Sequence, residues 1–222
     1  MKAPELTDIA ETWLRGMYPQ AHIVREFSVS EYGGALIDVA AIIEDQIVAV
    51  EVKGDGDSPT RLALQGMMYS RVCRSIFLLA SPDLKKRCDK HRPRGWGTLS
   101  VEPQDHYGWS QESGLWVRRD HDQKTGYGLA SVALAAIPWT REYGVFSGEL
   151  GWSVPKTKSD CIRAVAEHEP LPNIERAVCS VLRSRDWFPK SVSLPDTAAQ
   201  TATSEQPLTA YERAVNAKMG AA

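Results

Sequence analysis

Apolar residues recur at helical spacing near the start of the chain. Ile9, Ala10, Trp13, Leu14 and Met17 fall on one face between Thr7 and Met17, and Pro19 stops the pattern. The period then changes from three or four to two. His22 to Tyr32 reads as a strand, Gly33-Gly34 as a turn, Ala35 to Ile43 as a second strand, and Gln46 to Lys53 as a third, rich in Ile and Val. Gly54 to Asp57 is a loop. Ser58 followed by Pro59 supplies an N-cap and a proline at the first helical position, which predicts a helix from Arg61 to about Arg74. Ser75 to Ala80 is a short apolar run of the kind found in buried strands. A basic helix over Ser81 to His91 and two short strands, Gly97 to Glu102 and Leu115 to Arg118, follow. A polar loop around Tyr107 to Gly114 joins these two strands.

The order αβββαβ, then αββ, predicts an α/β domain with a mixed central sheet over residues 1–120. Beyond it the pattern is helical: Leu129 to Trp139, Lys158 to His168 and Ile174 to Trp187, punctuated by Pro138, Pro155, Pro170 and Pro172. This makes 121–189 a helical C-terminal extension. The Ser/Thr/Ala/Pro-rich segment 190–222 is expected to be disordered, with at most a weak helix over Tyr211 to Met219.

Polar residues inside the apolar strands are the first sign of chemistry. Asp38 interrupts Leu36 to Ile43. In the next strand Val48, Val50 and Val52 share one face, while Glu51 and Lys53 share the other. A symmetric turn centred between Glu44 and Asp45 sets Asp38 directly opposite Glu51, with Cβ atoms about 5 Å apart. Two carboxylates that close on a half-buried face repel, and burial adds a cost to each charge. A divalent cation removes that penalty, and hard oxygen ligands favour Mg²⁺ or Mn²⁺. Arg61, Gln65 and Tyr69, at i, i+4 and i+8 of the following helix, lie within reach of the same centre.

Net charge conceals a partition. The chain carries 26 Lys plus Arg against 28 Asp plus Glu, which excludes a strongly basic nucleic-acid coat protein. Residues 1–60 nevertheless carry −7 and residues 61–120 carry +5. Lys85, Lys86, Arg87, Lys90, Arg92 and Arg94 cluster beside Trp96. No apolar run approaches the roughly 18 residues of a membrane span, and no secretory signal is visible, so a cytoplasmic protein without a membrane partner is expected. Four scattered cysteines do not make a disulfide framework. Cys88 and His91 have C-x-x-H spacing without an evident fourth zinc ligand, and Asp55-Gly56-Asp57 resembles a calcium loop that lacks its later glutamate.

Asp38, then Glu51-Val52-Lys53, in an αβββαβ order, resembles the PD-(D/E)xK nuclease superfamily. Gln65-Gly66-Met67-Met68-Tyr69 is similar to the Q-x-x-x-Y helix motif of its RecB-like and lambda-exonuclease-like branch. Glu26 resembles the upstream acid that many members carry. The resemblance covers roughly residues 20–102, departs from the pattern in having Ile37 rather than Pro before Asp38, and extends to small bacterial and phage members, some with a helical segment beyond the core. It implies a restriction-endonuclease-like core and a Mg-dependent (or Mn-dependent) phosphodiester hydrolase acting on DNA, with RNA as a second possible substrate. It further implies that Asp38, Glu51, Glu26 and the Val52 carbonyl hold metal. Lys53 would assist the attacking water, Gln65 would steady that water or Lys53, and Arg61 and Tyr69 would touch the phosphate backbone. The basic cluster Lys85 to Arg94 would then bind nucleic acid. The alternative is a catalytically inactive nucleic-acid-binding or adaptor protein that retains the nuclease fold.

Overall fold

A computed structural model describes residues 1–29, 35–101, 115–119, 128–153 and 157–187, the segment 115–119 by its backbone alone. The expected turn at Gly33-Gly34, the loop over Tyr107 to Gly114, the expected disorder of 190–222 and the helix over Tyr211 to Met219 lie outside these residues.

Six strands form one mixed sheet: β1 (His22–Ser28), β2 (Leu36–Ile42), β3 (Ile47–Lys53), β4 (Ser75–Ala80), β5 (Gly97–Val101) and β6 (Leu115–Arg119), in that spatial order. β1, β2 and β3 pair antiparallel, β3, β4 and β5 pair parallel, and β6 returns antiparallel. Parallel pairing of β3 with β4 requires a crossover. Helix α2 (Leu62–Tyr69) supplies it, and α3 (Lys85–His91) does the same between β4 and β5.

Alternation along β3 divides the molecule into two cores. Val48, Val50 and Val52 pack with Leu6, Ala10, Trp13 and Leu14 of α1 (Ala3–Met17). Ile47 and Ala49 face the other way, into a core shared with Leu62 and Tyr69 of α2. The helices α4 (Ser131–Ala135), α5 (Tyr143–Glu149), α6 (Lys158–His168) and α7 (Leu171–Ser184) contribute to this second core through Leu134, Phe146, Val165 and Val178. Residues Met1–Trp187 thus form one compact unit. Among the described residues no helix is long and apolar enough to cross a membrane.

Several helices differ from expectation for local reasons. Ser58 caps a 3₁₀ turn over Pro59–Arg61 rather than the helix itself, and α2 ends at Tyr69, short of Arg74. The basic helix begins at Lys85, not Ser81, because Leu84 and Lys85 N–H groups close a turn on the Ser81 carbonyl. The apolar run from Leu129 yields only α4, and α7 starts at Leu171 because Pro172 fits the first turn, where its missing N–H costs nothing. Two glycines are fixed by close approach. A Cβ on Gly66 would overlap the Pro93 ring, and one on Gly54 would overlap the backbone of Ala3.

Candidate active site

The turn at Glu44-Asp45 gives the expected register, Ile42 on Ile47 through Val39 on Val50, and there the β2–β3 ladder stops. One position further, Asp38 and Glu51 would have been partners. β2 instead departs, and Asp38 Oδ2 takes the Val52 N–H at 2.7 Å. The departure shows in the side chains. Ile42 and Ala40 enter the α2-side core by alternation, yet Ile37 enters it too, so the period breaks at Asp38. β1 breaks at the facing position. Between the pairs Arg25–Val39 and Phe27–Ile37 lies Glu26, whose φ of 51° puts a non-glycine residue in the left-handed region.

β3 carries Glu51 and Lys53 to the α2 side, where both are buried, Glu51 with 1% of its surface exposed. Lys53 Nζ pairs with Glu51 Oε1. Gln65 Nε2 donates to the same oxygen at 2.6 Å and to the Tyr69 hydroxyl at 3.3 Å. That hydroxyl donates to the Leu36 carbonyl and lies 3.1 Å from Glu51 Oε2. With one proton it serves one of these acceptors at a time. Behind it the Tyr69 ring stacks on Trp96, centroids 5.9 Å apart and 4° from parallel.

The electrostatics of this cluster are unbalanced. Burial raises the Asp38 carboxyl above its ordinary value, against the opposing Val52 hydrogen bond. Burial, then repulsion from Asp38, pushes Glu51 up to about 7, although Lys53 and Gln65 pull the other way. Burial and the Glu51 charge also raise the Tyr69 phenol. Two carboxylates share one ammonium, and the buried Gln65 Oε1 has no donor. A surplus negative charge beside an orphaned acceptor, all hard oxygen, is the donor chemistry that Mg²⁺ or Mn²⁺ requires. The residues therefore fit such a cation, with Asp38 and Glu51 as its holders.

Of the residues singled out from sequence, Asp38, Glu51, Val52, Lys53, Gln65 and Tyr69 come together. Glu26 does not join them. It is exposed and lines a separate cleft between β1 and the C-terminal helical region. Among the described residues no three His, Cys, Asp or Glu side chains gather as a metal-holding group, so the site has two carboxylates at its centre. Arg61 is exposed, in the 3₁₀ turn that precedes α2, whereas Gln65 and Tyr69 on α2 are buried. On α3 and just beyond it, Lys86, Arg87, Lys90 and Arg94 are exposed and Lys85 is half-buried. Arg92, expected at a phosphate, gives its guanidinium to the Trp96 carbonyl. Cys88 is buried while His91 is exposed, so the C-x-x-H pair does not converge.

Two contributors were read in the sequence for other roles, Asp57 in a calcium-like loop and Trp96 beside the basic cluster. Asp57 accepts the Gly54 N–H at 2.7 Å, and its charge acts on Asp38. Its signal was the Gly54-Asp55-Gly56-Asp57 turn directly after Lys53. Trp96 supports Tyr69 from the end of the basic segment, and an isolated tryptophan carries no such signal. Comparison with protein-family models, curated proteins and solved structures gave no match.

Proposed function

We propose that the chain is a metal-dependent nuclease of the PD-(D/E)xK type, hydrolysing phosphodiester bonds of DNA. The observation that carries this reading is the convergence of Asp38, Glu51 and Lys53 in one cluster, two carboxyl groups against one ammonium. A divalent cation held by Asp38 and Glu51 supplies a Lewis acid for phosphate and lowers the pKa of an attacking water. Lys53 lies within hydrogen-bond reach of Glu51, placed to orient that water and to offset charge developing on phosphate oxygens. Gln65 and Tyr69 hold Glu51 in place, and the open Gln65 Oε1 can accept from the water or from Lys53.

The basic surface supports a polyanionic substrate. α3 packs on the 3₁₀ turn that carries Arg61, so exposed Arg61, Lys86, Arg87 and Lys90 belong to neighbouring elements beside the site. Neutralising phosphates with such residues gives salt-sensitive binding.

The test is incubation of single- and double-stranded DNA and RNA with Mg²⁺ or Mn²⁺, wild type beside Lys53→Ala. DNA cleavage that needs the metal and is lost in Lys53→Ala supports the reading. Absence of cleavage on every substrate, with binding retained, would instead identify a nucleic-acid-binding protein on the same fold.

A further inference from the structure

The cleft that receives Glu26 has a volume of about 420 Å³, within the range of small-molecule sites. One wall is β1, with Glu26, Phe27 and Ser28. The opposite wall comes from the C-terminal helices: Ile137, Trp139 and Thr140, then Arg185 and Trp187. Arg185 is already spent. Its Nε and Nη2 donate to the two oxygens of Glu142 at 2.7 and 2.6 Å, and its guanidinium lies 4.0 Å from the Trp139 ring centroid and 4.6 Å from that of Trp187. Lys158 is turned toward the Tyr143 ring, 5.4 Å from its centroid. Arg185 is thus matched by Glu142, and the wall it shares with Trp139 and Trp187 is largely aromatic. Glu26 stands against it with no hydrogen bond or ion pair to any described residue.

Glu26 also holds the strained position. A left-handed non-glycine residue costs roughly 1–2 kcal/mol, and such outliers gather where a protein binds or reacts. Phe27, next to Glu26, belongs to the core, and Glu26 lines the cleft. Its ladder position faces Asp38, and adjacent strands lie about 4.8 Å apart. A nucleotide whose phosphate meets Asp38 thus has its base, or that of its neighbour, within reach of the cleft.

We propose that this cleft binds a nucleobase next to the cleaved phosphate, and that Glu26 selects guanine. The nucleotide identity of the ligand rests on the nuclease reading above; the choice of base rests on the carboxylate. Guanine presents two adjacent donors, N1–H and N2–H, to the two oxygens of one carboxylate. Cytosine and adenine offer a single amino group. Thymine offers N3–H flanked by two carbonyl oxygens that the carboxylate repels. The faces of Trp139 and Trp187 already carry Arg141, Arg185 and His22, so the rings frame the cleft with apolar surface and the carboxylate makes the choice of base.

The metal-free full chain titrated with dGMP, dAMP, dCMP and dTMP, followed by tryptophan fluorescence, tests this. A bidentate base contact is worth about 1–3 kcal/mol, so dGMP should bind roughly 10- to 100-fold more tightly than dTMP. Glu26→Gln, an exposed and nearly isosteric change, should bring the four within about 3-fold of one another at an unchanged melting temperature. Equal affinity for all four nucleotides, no saturable dGMP binding, or a Glu26→Gln variant that keeps the preference would overturn the proposal. The two readings fail separately. Glu26-dependent dGMP binding without metal-dependent DNA cleavage would leave the cleft and remove the nuclease, whereas Lys53-dependent cleavage without any base preference would do the reverse.

Discussion

Two kinds of carboxylate, buried or half-buried, lie on the same side of the sheet. Glu142 and Glu175 each meet one arginine fork: Arg185 grips both oxygens of Glu142, and Arg74 does the same for Glu175. Each of these joins separate elements, the 3₁₀ turn at 140–142 to the end of α7, and the start of β4 to α7. Asp38 and Glu51 are arranged differently. They face each other, share a single lysine, and leave an acceptor on Gln65 unfilled. Burial raises Glu175 as well as Glu51, but at Glu175 the pull of Arg74 outweighs the repulsion from Asp45, whereas at Glu51 the repulsion from Asp38 comes ahead of the pull of Lys53. Balanced pairs fasten separate elements to one another. An unbalanced pair of this kind is where the proposed cation and chemistry would belong.

The comparison can be broken most severely at Lys53. Lys53→Ala should lower metal-dependent DNA cleavage by about 10²-fold or more, since it removes a positive group at the reacting centre, with little loss of melting temperature. A fall in stability matching the fall in rate would place Lys53 with the structural pairs instead.

Arg185→Ala should do the opposite. It leaves Glu142 without its fork and strips the cation from between Trp139 and Trp187, costing about 3–5 kcal/mol in denaturant unfolding. Cleavage per folded molecule should change far less than with Lys53→Ala.

Protonation distinguishes the two classes without a large perturbation. Glu51 binds its proton more tightly folded than unfolded, and Asp38 shifts in the same direction. Stability from this pair is therefore complete below the unfolded value of 4.5 and is lost as pH rises through about 7. The loss is on the order of 2–3 kcal/mol. Metal-free protein should melt lower at pH 8 than at pH 5, and Glu51→Gln should flatten that slope. An unchanged slope in Glu51→Gln would show that the pH dependence arises elsewhere.

Tyr69→Phe removes the hydroxyl that serves Leu36 and Glu51 and keeps the ring on Trp96. It should cost about 1 kcal/mol and weaken metal binding measurably. Smallest of all, Lys86→Ala should reduce the slope of log affinity for DNA against log salt by about 1 if that residue neutralises a phosphate.

The architecture was legible wherever period and turn chemistry agreed. The Val48-Val50-Val52 alternation fixed which way Glu51 and Lys53 point, and the Glu44-Asp45 turn fixed the β2–β3 register as far as Val39. Beyond Val39 sequence could not follow, because Asp38 leaves the ladder and binds the Val52 N–H with its side chain. Period-two reasoning assumes an unbroken strand and fails where a strand breaks. Glu26 was misplaced for the same reason: a left-handed φ at a glutamate leaves no trace in the sequence. α5 was missed because Gly144 and Gly148 lower helix propensity, and packing of Tyr143 and Phe146 overrides it. Arg92 counted as a surface cation until Trp96 supplied a carbonyl within its reach.

The central claim is that Asp38 and Glu51 together demand a divalent cation. Calorimetric titration of Mn²⁺ into the wild-type chain, Asp38→Asn and Glu51→Gln at pH 7.5 tests it directly, read beside thermal melts of the same samples. The account predicts saturable binding to the wild type with a raised melting temperature, and at least roughly tenfold weaker binding to each variant. Wild-type protein that binds Mn²⁺ no better than Asp38→Asn, or variants that keep the metal-dependent rise in melting temperature, would contradict it.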